Sequence, residues 1–288
     1  MKNITLSSRF FKPGQVPLAL VRHHQEDTVH LHQHQFHELV VILKGEGVHA
    51  TDTETYPIGI GDVFLVRPGT AHGYKNTSNL DLVNILYVPD RLYVPDHDLS
   101  NTPGYHAFFE LEPALRKKHK FKSRLTVSLN TLEKLQQLAA DMEQELGKPR
   151  AGAGYMACAY FMQIKGILAR SYSEKKNPLA TELLRIGSLL SFMERSYAED
   201  LTLSQLAKQA NMSKSTLNRV FHKTMHMPPI NYLISIRIAR ARTLLEQADA
   251  RVTDVAFEVG FSDSNYFSRM FKLMTGISPL EYKKNNRI

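Results

Sequence analysis

The sequence predicts an α+β protein of two domains: a small antiparallel β-barrel or sandwich first, then an all-α domain. Three observations carry this. Short β-branched and aliphatic runs between glycine turns fill about the first 95 residues. From about residue 130 the apolar period becomes helical. Near the carboxyl end one helical pattern occurs twice.

In the first region "HELVVILK", "DVFLVRP" and "LDLVNILYV" read as strands. The turns between them, "KGEG", "GIGD" and "RPGT", supply glycines that permit positive φ. Many short strands at close spacing suit a sandwich or barrel. Further on, Asn130 with Glu133 makes a capping box. Leu132, Leu135, Ala139, Met142 and Leu146 then recur at helical spacing, and Gly147 and Pro149 end the helix. A second helix over about 153–171 has Tyr155, Ala159, Met162 and Ile167 among its apolar positions. Two such helices pack on the β domain or on a partner chain, and the spacing leaves both open. "SYSEKKNP", residues 171–178, reads as a linker. The expected divisions are therefore 1–128, a helical dimerisation or linker region 129–178, and a helical domain 179–288.

Composition narrows the class. The 288 residues are 43% apolar and 22% charged, as in ordinary globular proteins. A single cysteine, Cys158, excludes an intramolecular disulfide and favours a reducing compartment; its setting in "YMACAYFM" predicts a buried small residue. "MKNITLSSRFF" lacks the apolar core of a signal peptide. No run approaches the roughly 20 apolar residues of a membrane span, so the expected location is cytoplasmic. Of the net charge of +8, residues 201–288 carry +7, with 13 Lys plus Arg against 6 Asp plus Glu. A basic end on a near-neutral body suits a partner rich in phosphate.

The repeat gives that charge a shape. "LAKQANMSKSTLNRVFHKTMHMPP" from Leu206 parallels "VAFEVGFSDSNYFSRMFKLMTGISP" from Val255, with one extra residue after the turn in the second copy. Each copy reads as helix, tight turn, helix, over about 203–224 and about 252–274. In the second, Val255, Ala256 and Val259 pack, Gly260 turns, Phe261 plugs the gap, and Ser262 or Asp263 caps the next helix. Phe267, Met270 and Phe271 face inward, leaving Ser264, Asn265, Ser268 and Arg269 outward. In the first, Ser213 caps, Leu217, Val220 and Phe221 face inward, and Lys214, Ser215, Asn218, Arg219 and His222 face outward. Short polar groups beside a long cation hydrogen-bond base edges and phosphates. "PPINYLISIRIARARTLLEQ" joins the copies as one helix, with Arg237, Arg240 and Arg242 expected on or near one side.

Residues from about 180 to 285 resemble the AraC/XylS family's DNA-binding domain, most fully in "VAFEVGFSDSNYFSRMFKLMTGISPLEYKK". The resemblance implies a transcription regulator, usually an activator, and not an enzyme. Its partners would be double-stranded operator DNA, RNA polymerase and a second copy of the chain. By position it places base contacts at Ser215, Asn218 and Arg219, and at Asp263, Ser264, Asn265, Ser268 and Arg269.

In "HLHQHQFHELVVILKG", His30, His32, His34 and Glu38 share parity, so one extended strand would put them on one face. That spacing resembles the first cupin motif, and "GDVFLVRPGTAHGYKN" the second, with His72 in the histidine position and Arg67 where proline is usual. The resemblance implies a cupin β-barrel over about residues 20–90. In metal cupins His32, His34, Glu38 and His72 would bind one divalent ion; in metal-free regulators the same polar lining would contact a small organic effector. Both readings stay open. "HQFHELVVILKGEGVHATDTETYPIGIGDVFLVRPGTAHGY" with "LDLVNILYVPDRL" resembles the sensor domains of L-rhamnose-responsive activators in this family, which implies a small sugar as effector. The competing function is a metal-dependent cupin enzyme fused to a DNA-binding module. No acid/base pair stands out beyond the histidine cluster to support it.

Overall fold

In the computed structural model, residues 3–5, 9–12, 14–26, 28–92, 94–96, 98–147, 150–247 and 249–285 are described, so Pro149 lies outside the described residues. The strands are β1 (Asn3–Thr5), β2 (Leu18–Glu26), β3 (Val29–His34), β4 (His37–Thr51), β5 (Thr55–Gly59), β6 (Asp62–Val66), β7 (His72–Tyr87) and β8 (Leu125–Thr126). All pairings are antiparallel except β1 with β3. The two long strands let the sheet coil on itself. The first half of β4 pairs with β6 and the end of β7; its second half pairs with β5 and the start of β7. The result is the cupin-like, sheet-rich domain expected.

The run "HELVVILK" shows no polar alternation because β4 is buried on both faces. Val40 and Ile42 point inward, where they join Tyr56, Ile58, Phe64, Val66, Tyr74, Leu80, Leu82 and Phe121. Val41 and Leu43 point outward, beneath Leu135 and Ala139 of α3 (Leu129–Gly147) and Ile164 of α4 (Ala153–Ser173). Before those helices, α1 (Pro103–Tyr105) runs through a π-helical turn, His106–Leu111, into α2 (Glu112–His119).

Three details differ from the sequence reading. Helix α3 starts two residues earlier than the expected capping box, with Ser128 Oγ accepting from the Thr131 amide at 3.3 Å. On α4 the buried stripe is Ala157, Phe161, Ile164, Leu168 and Tyr172, whereas Tyr155 is 81% exposed. The apolar positions read from the sequence therefore line an uncovered groove, which Cys158 shares, half-buried and not enclosed.

The chain divides into two compact units, Met1–Gly187 and Ser188–Ile288, the division falling inside α5 (Pro178–Arg195). The second unit holds α6 (Leu203–Gln209), α7 (Lys214–Thr224), α8 (Pro229–Leu245), α9 (Val252–Glu258), α10 (Ser264–Thr275) and α11 (Pro279–Asn285). Helix α8 starts on Pro229, where the missing N–H costs nothing. It is the hub: Ile234, Ile238, Ala241 and Leu245 pack against Val255, Ala256, Val259, Phe261, Phe267 and Phe271.

No helix among the described residues is long and apolar enough to cross a membrane.

Candidate nucleic-acid interface and sensor site

Helices α6 and α7, and again α9 and α10, form the two helix-turn-helix units. Each second helix is capped by its own sequence. Ser213 Oγ accepts from the Thr216 amide at 3.1 Å. Asp263, one residue beyond Ser262, accepts from the amides of Asn265 at 2.6 Å and Tyr266 at 3.0 Å. Capping satisfies amides that the helix itself cannot. Below, Leu217 and Phe221 are buried on α7, and Phe267 and Phe271 on α10. Above, Lys214, Ser215, Arg219 and His222 are exposed and Asn218 is half-buried. Asp263, Asn265 and Arg269 are likewise exposed, with Ser264 and Ser268 half-buried. All ten expected contact residues thus lie on or at the start of the two second helices. The Arg269 guanidinium lies 5.2 Å from the Tyr266 ring centroid, a cation–π contact that steadies it.

The three arginines of α8 do not form one outward side. Arg237 donates to the carbonyls of Tyr197 and Glu199 at 2.7 and 2.8 Å. Arg240 pairs with Glu194 at 3.1 Å, and Arg242 donates to the Tyr282 hydroxyl at 3.3 Å. They brace the hub: Arg237 holds two carbonyls of the segment after α5, and Arg240 and Arg242 hold side chains of α5 and α11.

In the first unit, Glu38 does not share a strand with His32 and His34: β3 ends at His34 and β4 begins at His37. The bend nevertheless returns the carboxylate to the histidines. Glu38 Oε2 stands 3.4 Å from His34 Nε2, and Oε1 stands 3.4 Å from His72 Nε2. Ligand atoms of His32, Glu38 and His72 all lie within 4.8 Å of one another. His30, the remaining residue of that parity, is exposed.

The ring orientations are fixed from behind. Nδ1 of His32 faces the His30 carbonyl at 3.1 Å, that of His34 the Phe36 carbonyl at 2.6 Å, and that of His72 the Thr70 carbonyl at 3.3 Å. A carbonyl only accepts, so each Nδ1 carries a proton and each Nε2 is the ring atom left free to meet a ligand. Nε2 of His34 and His72, and Oε1 of Glu38, are buried without a hydrogen bond. Burial lowers the His34 pKa to about 4, against the pull of Glu38, and burial then the His72 charge lower that of His32. Burial pushes the Glu38 carboxyl up, but attraction from His72, His34 and His32 outweighs it and leaves the pKa lowered. Imidazole nitrogens and a carboxylate that converge form a donor set that fits a divalent ion. A 3.4 Å spacing is that of neighbouring ligands around an ion with bonds of about 2.1 Å.

His49, which the sequence reading passed over, lies deeper still. It is fully buried, neither ring nitrogen has a hydrogen bond, and its ring is 4.9 Å from Phe64 and 5.8 Å from His72. Its position in "GVHATD" on β4 gave no spacing signal.

Comparison with known proteins identifies both units. Residues 17–185 match the AraC-like ligand binding domain, and residues 206–285 match a helix-turn-helix domain. The chain belongs to the AraC family. AraC-family chains are DNA-binding regulators and not enzymes. This one is 29% identical to the HTH-type transcriptional activator RhaR of Mannheimia succiniciproducens, across 95% of this chain and 94% of that protein. It is 31% identical to the HTH-type transcriptional activator RhaS of Escherichia coli O6:H1, across 96% and 95%. Among solved structures, the C-terminal domain of the response regulator yesN of Fusobacterium nucleatum is 32% identical, covers 33% of this chain and 93% of its own, and has a TM-score of 0.32.

Proposed function

We propose that this AraC-family chain activates carbohydrate-catabolism genes, binding operator DNA when a small sugar such as L-rhamnose occupies its amino-terminal unit. One observation carries the DNA half: two capped second helices, each with an inward apolar stripe and an outward polar one, both pack against α8. Lys214, Ser215, Asn218, Arg219 and His222 of one, with Asp263, Ser264, Asn265, Ser268 and Arg269 of the other, make the contacts. Activation is supported by the relatives named transcriptional activators. The sugar is supported by the likeness of "FHELV" and "NILY" to rhamnose-responsive sensors.

The histidine cluster is better suited to an ion than to direct contact with a sugar. His32, His34, Glu38 and His72 would hold the ion, which would supply Lewis-acid charge that ties β3, β4 and β7 together. A hydroxyl wants donors as well as acceptors, and the space beneath the cluster is filled by Phe64, Tyr74 and Phe121. The chain acts in the cytoplasm as a homodimer that contacts RNA polymerase at the promoter, the uncovered α4 face serving the second copy.

Mobility shifts on the promoter beside its own gene, with and without L-rhamnose, test the proposal. Specific binding should exceed nonspecific binding by about 10³-fold or more and tighten with sugar. A ratio near one refutes it.

A further inference from the structure

A cavity of about 510 Å³ lies on the helix-covered outside of the barrel, within the size range of small-molecule sites. Strand register fixes which face this is. On β4, Glu38, Val40 and Ile42 point inward, so His37, Leu39 and Val41 point toward the helices. His37 pairs in register with Tyr87, and their rings stack with centroids 5.3 Å apart. Tyr87 in turn meets Phe161 of α4 at 4.9 Å.

Charged groups and aromatic faces share the wall. Lys165, only 5% exposed, is paired with Asp96 and lies 5.8 Å from the Phe161 ring centroid. Arg67 donates to the Glu110 carbonyl of the π-helical turn. His37 Nδ1 is buried with no hydrogen bond, so a polar atom faces the cavity wall without a partner. Placing a lysine and an arginine here costs desolvation that a merely structural wall, filled by apolar groups, would avoid. A single π-helical turn is likewise frequent at functional sites.

The chemistry defines the ligand. Arg67 and Lys165 donate, Asp96 and His37 accept, and Tyr87 and Phe161 offer flat faces. The two cations face three carboxylates that also line the cavity, Asp90, Asp96 and Glu110, so no excess of positive charge selects an anion. Hydroxyls that both donate and accept, on a carbon ring whose C–H face lies against an aromatic, satisfy this wall. "FHELV" and "NILY", the two stretches most like rhamnose-responsive sensors, meet here at His37 and Tyr87.

We infer that this cavity outside the barrel binds a neutral monosaccharide. The inference rests on the reading that a sugar is the effector. Calorimetric titration of the full chain with L-rhamnose, L-fucose, L-arabinose and D-xylose tests it, using the tightest sugar to compare wild type with Arg67→Gln and Lys165→Met. Both variants should raise Kd about 10-fold or more, while operator affinity without sugar stays near wild type. If Lys165→Met does not fold, the half-buried Arg67→Gln decides alone. Wild-type sugar affinity in Arg67→Gln overturns the cavity and leaves a sugar-responsive regulator standing. No heat from any sugar with the wild type overturns both.

Discussion

Asn211 and Gly260 stand at the same step of two copies of one motif, and both hold left-handed backbone, with φ of 50° and 91°. At Gly260 the demand is double. A Cβ there would stand 2.7 Å from the Ala198 carbonyl oxygen as well as in a strained conformation. Asparagine tolerates the left-handed region better than most residues, which suits it to the first turn.

Gly260→Ala should therefore destabilise the DNA-binding unit by about 1–3 kcal/mol. Asn211→Gly should change stability by less than about 1 kcal/mol. Urea unfolding measures both, and equal effects would show that the turns are not set by backbone conformation.

Arg219→Ala and Asn265→Ala should each weaken specific operator binding by about 1–3 kcal/mol. Both side chains are exposed, so melting temperatures should stay within a degree or two of wild type. Gel shifts with wild-type affinity for both variants would contradict the assigned faces.

Elemental analysis of purified protein should find about one equivalent of a divalent metal, falling below about a tenth in His72→Ala. A wild-type content below a tenth would rule out the ion. Glu38→Gln should also lose metal, because an amide is a poorer ligand than a carboxylate.

Acid should destabilise the first unit. A histidine in the unfolded chain titrates near 6.5, whereas burial holds His34 and His37 at about 4 and His49 well below its ordinary value. Between about 6.5 and 4 the unfolded state binds more protons, so stability falls as pH falls through that window. Melting temperature should drop between about pH 7.5 and about pH 5, and His49→Leu should reduce the drop. A melting temperature unchanged across that range would contradict it.

The helix-turn-helix units were legible because their determinants are local. Cap, small crossing residue, turn and apolar stripe all fall within one short window, as from Val255 to Phe271. The histidine cluster was legible in membership but not in geometry: parity placed Glu38 on the strand of His32, and only the bend at Gln35 and Phe36 shows otherwise. Arg237, Arg240 and Arg242 misled because spacing shows where a cation sits on a helix but not which acceptors lie opposite. On α4 both stripes are apolar, so period alone could not say that Phe161 is covered and Tyr155 is not. The outer cavity was illegible, since His37, Arg67, Tyr87, Asp96 and Lys165 meet only after the sheet and helices have packed.

The most direct measurement is a footprint of the full chain on its own promoter, repeated with Arg219→Ala and with Arg269→Ala. Two reading heads on one hub should protect two adjacent major-groove segments about one helical turn apart, with each variant losing protection over a different one. Loss of the same segment in both variants, or no specific protection by the wild type, would contradict the account.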